Sequence, residues 1–350
     1  MREIPQLQKK PGIALVLSGG ATKAFYFHLG VLKALHPEPI SSIVGTSAGA
    51  VIGAFIASGI SVETLLASLY QKQVYLPKFD TWIKTLTSTM LFKPKYMGVL
   101  GQSVQTGIAG LRFLVSLPGL LNKDILAEMI DRLLQSQSHT AAFFDSVALE
   151  DLFHSVLPSM DFAETDIDLY VTATDLDRHR RAVFNGIYDF EDSDNLFLRD
   201  VPMNKAVRAS TAVPGMFDPV KIKGNYYVDG EIRQTLSADI GISLSDRVIV
   251  SHTYQPLQLP QGQSVAEMGW LNILKQSLGI VFYERIAIWR KIYEQENPDK
   301  AVIWIHPDPE DVDFFLAPEF SFRPEIQAKM IECGERAALR AFEAAGQKVR

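Results

Sequence analysis

The stretch Ser41-Ser42-Ile43-Val44-Gly45-Thr46-Ser47-Ala48-Gly49-Ala50-Val51-Ile52-Gly53-Ala54-Phe55-Ile56-Ala57 decides how the rest of the chain is read. Ser41 to Val44 ends in two β-branched residues and predicts a short strand. Gly45-Thr46-Ser47 predicts a tight turn, and Ala48 to Ala57, small and apolar, predicts a helix that stops near Gly59. Gly45 to Gly49 is a G-x-S-x-G pentapeptide set between that strand and that helix, which puts Ser47 on a sharp bend. Its glycines let neighbouring backbone approach closely, and the N–H groups opening the helix face any negative charge that develops there. Taken alone, the same five residues also read as a Gly-rich turn with an incidental serine.

Upstream, the unit repeats. Ile13 to Leu17 reads as a buried strand, Ser18-Gly19-Gly20 as a turn, and Lys23 to Leu35 as a helix closed by His36-Pro37. Downstream, strands are predicted at Leu169 to Thr174, Ala182 to Phe184, Val220 to Ile222, Tyr226 to Val228, Arg247 to Val250 and Ala301 to Ile305. Alternating strands and helices imply an α/β fold of three layers, α/β/α, around a mainly parallel central sheet. With no fixed-period repeat and no linker-like tract, residues 1–350 are expected to form a single domain.

Composition narrows the classes. In 350 residues, 47% apolar and 21% charged leaves enough apolar surface for a large core and excludes wholesale disorder. A formal charge of −6 argues against a general nucleic-acid binder, and the single Cys333 excludes an internal disulfide. No secretory signal is visible. The longest uncharged stretch, Pro39 to Val62, is broken by Gly45, Gly49, Gly53 and Gly59 and is not expected to span a membrane. The expected location is cytoplasmic, with peripheral membrane contact.

One region breaks the pattern. From Thr64 to Lys123, seven basic residues stand against Asp80 alone, a local charge of about +6, among Tyr70, Tyr75, Trp82, Phe92, Tyr96 and Phe113. It is expected to be an insertion, at about residues 64–135, acting as a lid or facing an anionic lipid surface. It reads equally well as a helical insertion whose basic side is solvated and packs on the acidic remainder. Met268 to Tyr293 has apolar residues at near-helical spacing and is expected to be a core or acyl-pocket helix.

Two further motifs carry chemistry. Ser18-Gly19-Gly20-Ala21-Thr22-Lys23 follows a strand and opens a helix, but lacks both the Walker and the G-x-G-x-x-G spacing, so it reads as an oxyanion loop rather than a nucleotide cradle; taken by itself it reads equally well as an ordinary Gly-rich turn capping a helix. Tyr226-Tyr227-Val228-Asp229-Gly230 ends a strand in an acid, at the edge where α/β sheets place ligands. Asp175 and Asp177 are alternative bases after another strand. His28, His36, His139, His154 and His179 show no metal-ligand spacing, and no metal or cofactor is expected.

In this order, the three motifs resemble the patatin-like phospholipase family, lipid acyl hydrolases with a Ser-Asp dyad and no histidine. Leu17 to Gly20 followed by Gly30-Val31-Leu32-Lys33-Ala34-Leu35, and Ala206 to Phe217 ahead of the Asp-Gly, extend the resemblance to about residues 12–58 and 166–240. It implies Ser47 as nucleophile, Asp229 as its partner, Gly45 and Gly49 as the elbow glycines, and the amides of Gly19, Gly20 and Ala21 as the oxyanion hole. Lys23 takes the place of the family's loop-fixing basic residue. Ala21, Ala24 and Glu231 depart from the family pattern, and a positive φ at Ala21 would strain the loop.

The function implied is that of a lipid acyl hydrolase, phospholipase A-type or lysophospholipase/esterase, with a lipid or phospholipid as substrate. Two alternatives stay open. One is a catalytically weak or inactive lipid-surface protein of the same fold; the other is a Ser-Asp-His triad completed by His252 or His306.

Overall fold

Ile13, Leu15 and Leu17 are buried in one hydrophobic cluster and Ala14 and Val16 in another, so the first strand, β1 (Ile13–Leu17), is covered on both faces. The computed structural model describes residues 4–35, 39–71, 73–76, 78–84, 93–94 and 142–346, and most of the expected insertion lies outside them. β1 belongs to a sheet of ten strands. The others are β2 (Ile40–Thr46), β3 (Asp168–Asp175), β4 (Arg180–Phe184), β5 (Phe190–Glu191), β6 (Asn195–Leu198), β7 (Val220–Ile222), β8 (Asn225–Asp229), β9 (Arg247–Ser251) and β10 (Ala301–Ile305).

The order is β10-β9-β1-β2-β3-β4-β6-β5, and the run from β10 to β3 is parallel throughout. β4 and β8 both pair antiparallel with β3, and β7 pairs with β8. The expected α/β fold with a mainly parallel sheet is therefore present, with antiparallel partners on both edges of β3: β8 on the edge that β2 leaves and β4 on the other. One face carries α1 (Ala21–Leu35), α2 (Ala48–Ala57), α3 (Val62–Tyr70), α4 (Val147–Val156) and α5 (Met203–Ser210). The other carries α6 (Ala238–Leu244) and the buried Ile286 and Tyr293 of α7 (Trp270–Glu296). A short α8 (Val312–Leu316) leads to α9 (Pro324–Ala344), which returns to the first face.

Two arrangements position the site. β2 runs beside β3 from Ser42 opposite Asp168 to Thr46 opposite Thr172, then turns away. β8 takes over that edge from the next residue, with Asp229 opposite Ala173 and Val228 opposite Thr174. Because β8 runs the other way, its last residue arrives where β2 ends, and Asp229 comes beside the residue after Thr46, which is Ser47. Gly230 sits at this junction, where a Cβ would lie 2.6 Å from the Thr172 carbonyl oxygen and 2.8 Å from the Thr46 methyl.

The second arrangement is a crossing of α1 and α9 at glycines. A Cβ on Gly30 would fall 1.9 Å from the Ile331 carbonyl oxygen, and one on Gly334 would fall 1.9 Å from that of Phe27. The two backbones therefore touch, and α9 holds the helix that the glycine loop opens.

α7 corrects an expectation. It is helical over Trp270–Glu296, but only Ile286 and Tyr293 are buried, while Trp270, Leu271, Leu274, Leu278 and Val281 are exposed. Helical spacing of apolar residues specifies a face, not what covers it. Among the described residues, no single helix is long and apolar enough to cross a membrane.

Candidate active site

Ser47 has φ 52° and ψ −118°, a conformation that a non-glycine residue adopts only when its surroundings impose it. They do. The Ser47 amide donates to Ser210 Oγ at 2.8 Å, Ser210 Oγ donates to the Thr172 carbonyl at 2.7 Å, and the Gly49 amide donates to the Ser18 carbonyl at 3.2 Å. Both elbow glycines are sterically required. A Cβ on Gly45 would lie 2.6 Å from the Gly49 carbonyl oxygen, and one on Gly49 would lie 2.3 Å from that of Leu17.

Asp229 is buried. Its amide donates to the Ala212 carbonyl at 3.0 Å, its carbonyl accepts from Thr174 Oγ1 at 2.8 Å, and its Oδ1 accepts the Glu231 amide at 3.0 Å. The Ser47 side chain faces the carboxyl and favours its charged form. Burial outweighs these donors and pushes the Asp229 pKa up to about 6. A carboxylate so raised is a better base than an ordinary aspartate and is still ionised at neutral pH.

The glycine loop passes over this pair. Gly20 has φ +128°, and a Cβ there would lie 2.5 Å from Thr253 Oγ1, so the position requires glycine. Ala21 has φ 57°, the left-handed conformation whose strain its methyl group implies. Among the described residues the Gly20 and Ala21 amides have no hydrogen-bond partner, whereas the Gly19 amide, expected among the oxyanion donors, donates to Glu231 Oε1 at 2.6 Å. One of the three expected donors is therefore engaged, because Glu231 stands where the family pattern has a small residue.

Lys23 is buried and points to the base of α1. Its ammonium pairs with Glu319 at 2.7 Å and lies 4.7 Å from the Phe314 ring centroid, while its amide donates to the Glu319 carbonyl. Burial lowers its pKa to about 8, against the pull of Glu319. It anchors the loop through Glu319. Thr22 adds to the anchor through Oγ1, which donates to the Glu319 carbonyl at 2.9 Å and accepts the Ser321 amide at 2.9 Å.

The histidines fall elsewhere. His252 and His306 stack on each other with ring centroids 5.5 Å apart, and among the described residues no histidine hydrogen-bonds to Asp229 or Ser47. His28 is buried between Ser251 Oγ at 2.8 Å and the Ser18 carbonyl at 3.0 Å, and burial lowers its pKa to about 4, so it is a neutral strut under the loop. Asp175, the alternative base, is ion-paired with Arg178 and Arg180. Asp177 is exposed.

Sequence reasoning missed Glu231 as a partner of Gly19, and Tyr254. The only signal was that Glu231 broke a pattern. An apolar cavity of about 120 Å³ opens beside Ser47, lined among others by Ala21, Phe25, Val51, Leu152, Phe217 and Phe322.

A serine on a strained strand-to-helix elbow, a buried carboxyl and loop amides thus meet at one point of the α/β sheet. Residues 15–242 match the patatin-like phospholipase family, and the chain belongs to that family. It is 24% identical over 282 residues to an uncharacterized NTE family protein of Mycobacterium tuberculosis, covering 78% of this chain and 58% of that protein. An uncharacterized protein of Acanthamoeba polyphaga mimivirus is 23% identical over 222 residues, 62% of this chain and 57% of its own length. The chain thus spans somewhat over half the length of the curated relatives it matches. Among solved structures, VipD from Legionella pneumophila aligns with a TM-score of 0.41 at 15% identity, covering 98% of this chain and 72% of that one.

Proposed function

We propose that this chain is a lipid acyl hydrolase, of phospholipase A or lysophospholipase/esterase type, acting through an acyl-Ser47 intermediate with Asp229 as general base. The carrying observation is the meeting of Ser47 with the buried Asp229 carboxyl beside an apolar cavity that suits an acyl chain. Asp229 takes the hydroxyl proton as Ser47 Oγ bonds to the ester carbonyl carbon. The Gly20 and Ala21 amides receive the resulting oxyanion, and the proton passes to the departing alkoxide as the C–O bond breaks. Asp229 then deprotonates a water as it bonds to the acyl carbon, and returns that proton to Ser47 Oγ as the Oγ–acyl bond breaks and the fatty acid leaves. This chemistry requires no cofactor. The exposed apolar face of α7, near the site through the contact of Phe282 with Tyr254, supports access from a membrane surface.

The engaged Gly19 amide and the strained Ala21 favour a second reading, a lipid-surface protein with little or no turnover, since losing one oxyanion donor costs about 10²–10³ in rate. Hydrolysis of a short-chain activated ester and of mixed phospholipid vesicles separates the two, with thermal melts to confirm folding. Ser47→Ala and Asp229→Asn are expected to lose at least about 10³-fold in kcat while His252→Ala keeps activity. Loss in all three variants would mean a triad, and an inactive but folded wild type would leave the surface protein.

A further inference from the structure

Glu231 is buried at the centre of the site, yet no step above uses it. Its Oε1 receives the Gly19 amide at 2.6 Å, its Oε2 receives the Leu236 amide at 3.3 Å, and its own amide donates to Asp229 Oδ1 at 3.0 Å. The Tyr254 hydroxyl also hydrogen-bonds to its carboxyl. A Cβ on Gly19 would lie 3.0 Å from Glu231 Cγ, 3.0 Å from Ser47 Cβ and 3.1 Å from the Tyr254 hydroxyl, so loop, nucleophile and both side chains meet at one point.

We propose that Glu231 is a positioning residue for the proposed acyl transfer, holding the glycine loop to the Asp229 strand end, and that it does so as the neutral acid during turnover. The proposal rests on the Ser47-Asp229 reading. Its first half follows from the contacts, because the one side chain joins the loop amide to the residue beside the base. The second half follows from charge. Acyl transfer moves one negative charge from Asp229 to the oxyanion, and Glu231 gives and takes no proton. An ionised Glu231 would add a second buried negative charge beside the loop that must receive the oxyanion.

The groups facing Glu231 are Asp229 on its own segment, Tyr254 from the segment after β9 and Arg285 from α7. Arg285 donates to the Arg233 carbonyl at 3.0 Å and offsets the charge only in part. Burial, then Asp229, push the Glu231 pKa up to about 8, and burial raises Asp229 to about 6, so near neutrality the two carboxyls share one proton.

The test compares wild type, Glu231→Gln and Glu231→Ala in ester hydrolysis between about pH 5 and 10. Folding is checked by thermal melts, and the Gly19 amide is followed by hydrogen exchange. Glutamine copies the protonated carboxyl but cannot ionise. It is expected to keep kcat within about tenfold of wild type and to lose the alkaline limb of the kcat/KM profile that wild type shows near pH 8. Alanine is expected to lower kcat about 10²-fold with KM little changed, and to expose the Gly19 amide to exchange.

An alkaline limb that persists in Glu231→Gln, or wild-type kcat in Glu231→Ala, overturns the proposal. If folded wild type hydrolyses nothing, the hydrolase reading falls separately and catalytic positioning falls with it. Gly19 exchange then still decides whether Glu231 holds the loop, and unchanged protection in Glu231→Ala overturns that too.

Discussion

At Asp229 and Glu231 the site is built from residues that the fold holds against their own solvation. Both are buried and both have pKa values raised by that burial. Raised carboxyl pKa values mean that the folded chain holds protons which the unfolded chain has released. Their stabilising effect is therefore complete below about pH 4 and is lost as pH climbs through about 6 for Asp229 and about 8 for Glu231. Asp229→Asn should therefore unfold at higher temperature than wild type at pH 8, by up to about 3 kcal/mol in stability, and match it near pH 4. An Asn variant no more stable at pH 8 would show that the carboxyl is not held in a desolvated state. The residues facing this penalty were partly legible in the sequence. Ser47 and Asp229 lie in motifs whose turn and strand-end positions have a physical meaning, but the role of Glu231 depends on a contact across 212 positions, and spacing does not encode that.

Among the elements, β1, β2, α1 and α2 follow from hydrophobic runs and glycine punctuation, which act locally. The pairing that makes the site does not. That β8 takes over the edge of β3 where β2 leaves it depends on register, which no single segment carries. The same holds for α1 and α9. Gly30 belongs to a motif and Gly334 to none, yet each allows the other helix to approach. Gly334→Ala would place a methyl group 1.9 Å from the Phe27 carbonyl oxygen. It should destabilise the fold by about 3 kcal/mol or more, read as a lowered denaturant midpoint. A wild-type midpoint would mean that the helices can separate at no cost.

For the molecule as a whole, net charge and apolar fraction excluded classes without indicating where apolar surface would be left exposed. α7 presents Leu274 and Leu278 outward, and a lipid surface is the occupant that the proposed substrate implies. Replacing both with glutamate should weaken co-sedimentation with phospholipid vesicles several-fold while leaving the melting temperature and short-ester hydrolysis within error. Equal sedimentation would remove that face from the membrane.

The family match ends at residue 242, yet Glu319, which receives Lys23, and α9, which lies against α1, come from beyond it. The bounds of the family match and of mechanical completeness therefore differ in this chain. The matched part carries Ser47 and Asp229, and the later segment acts as the buttress that keeps the glycine loop in place. Relatives that lack a counterpart to residues 319–344 would have to brace the same loop by other means.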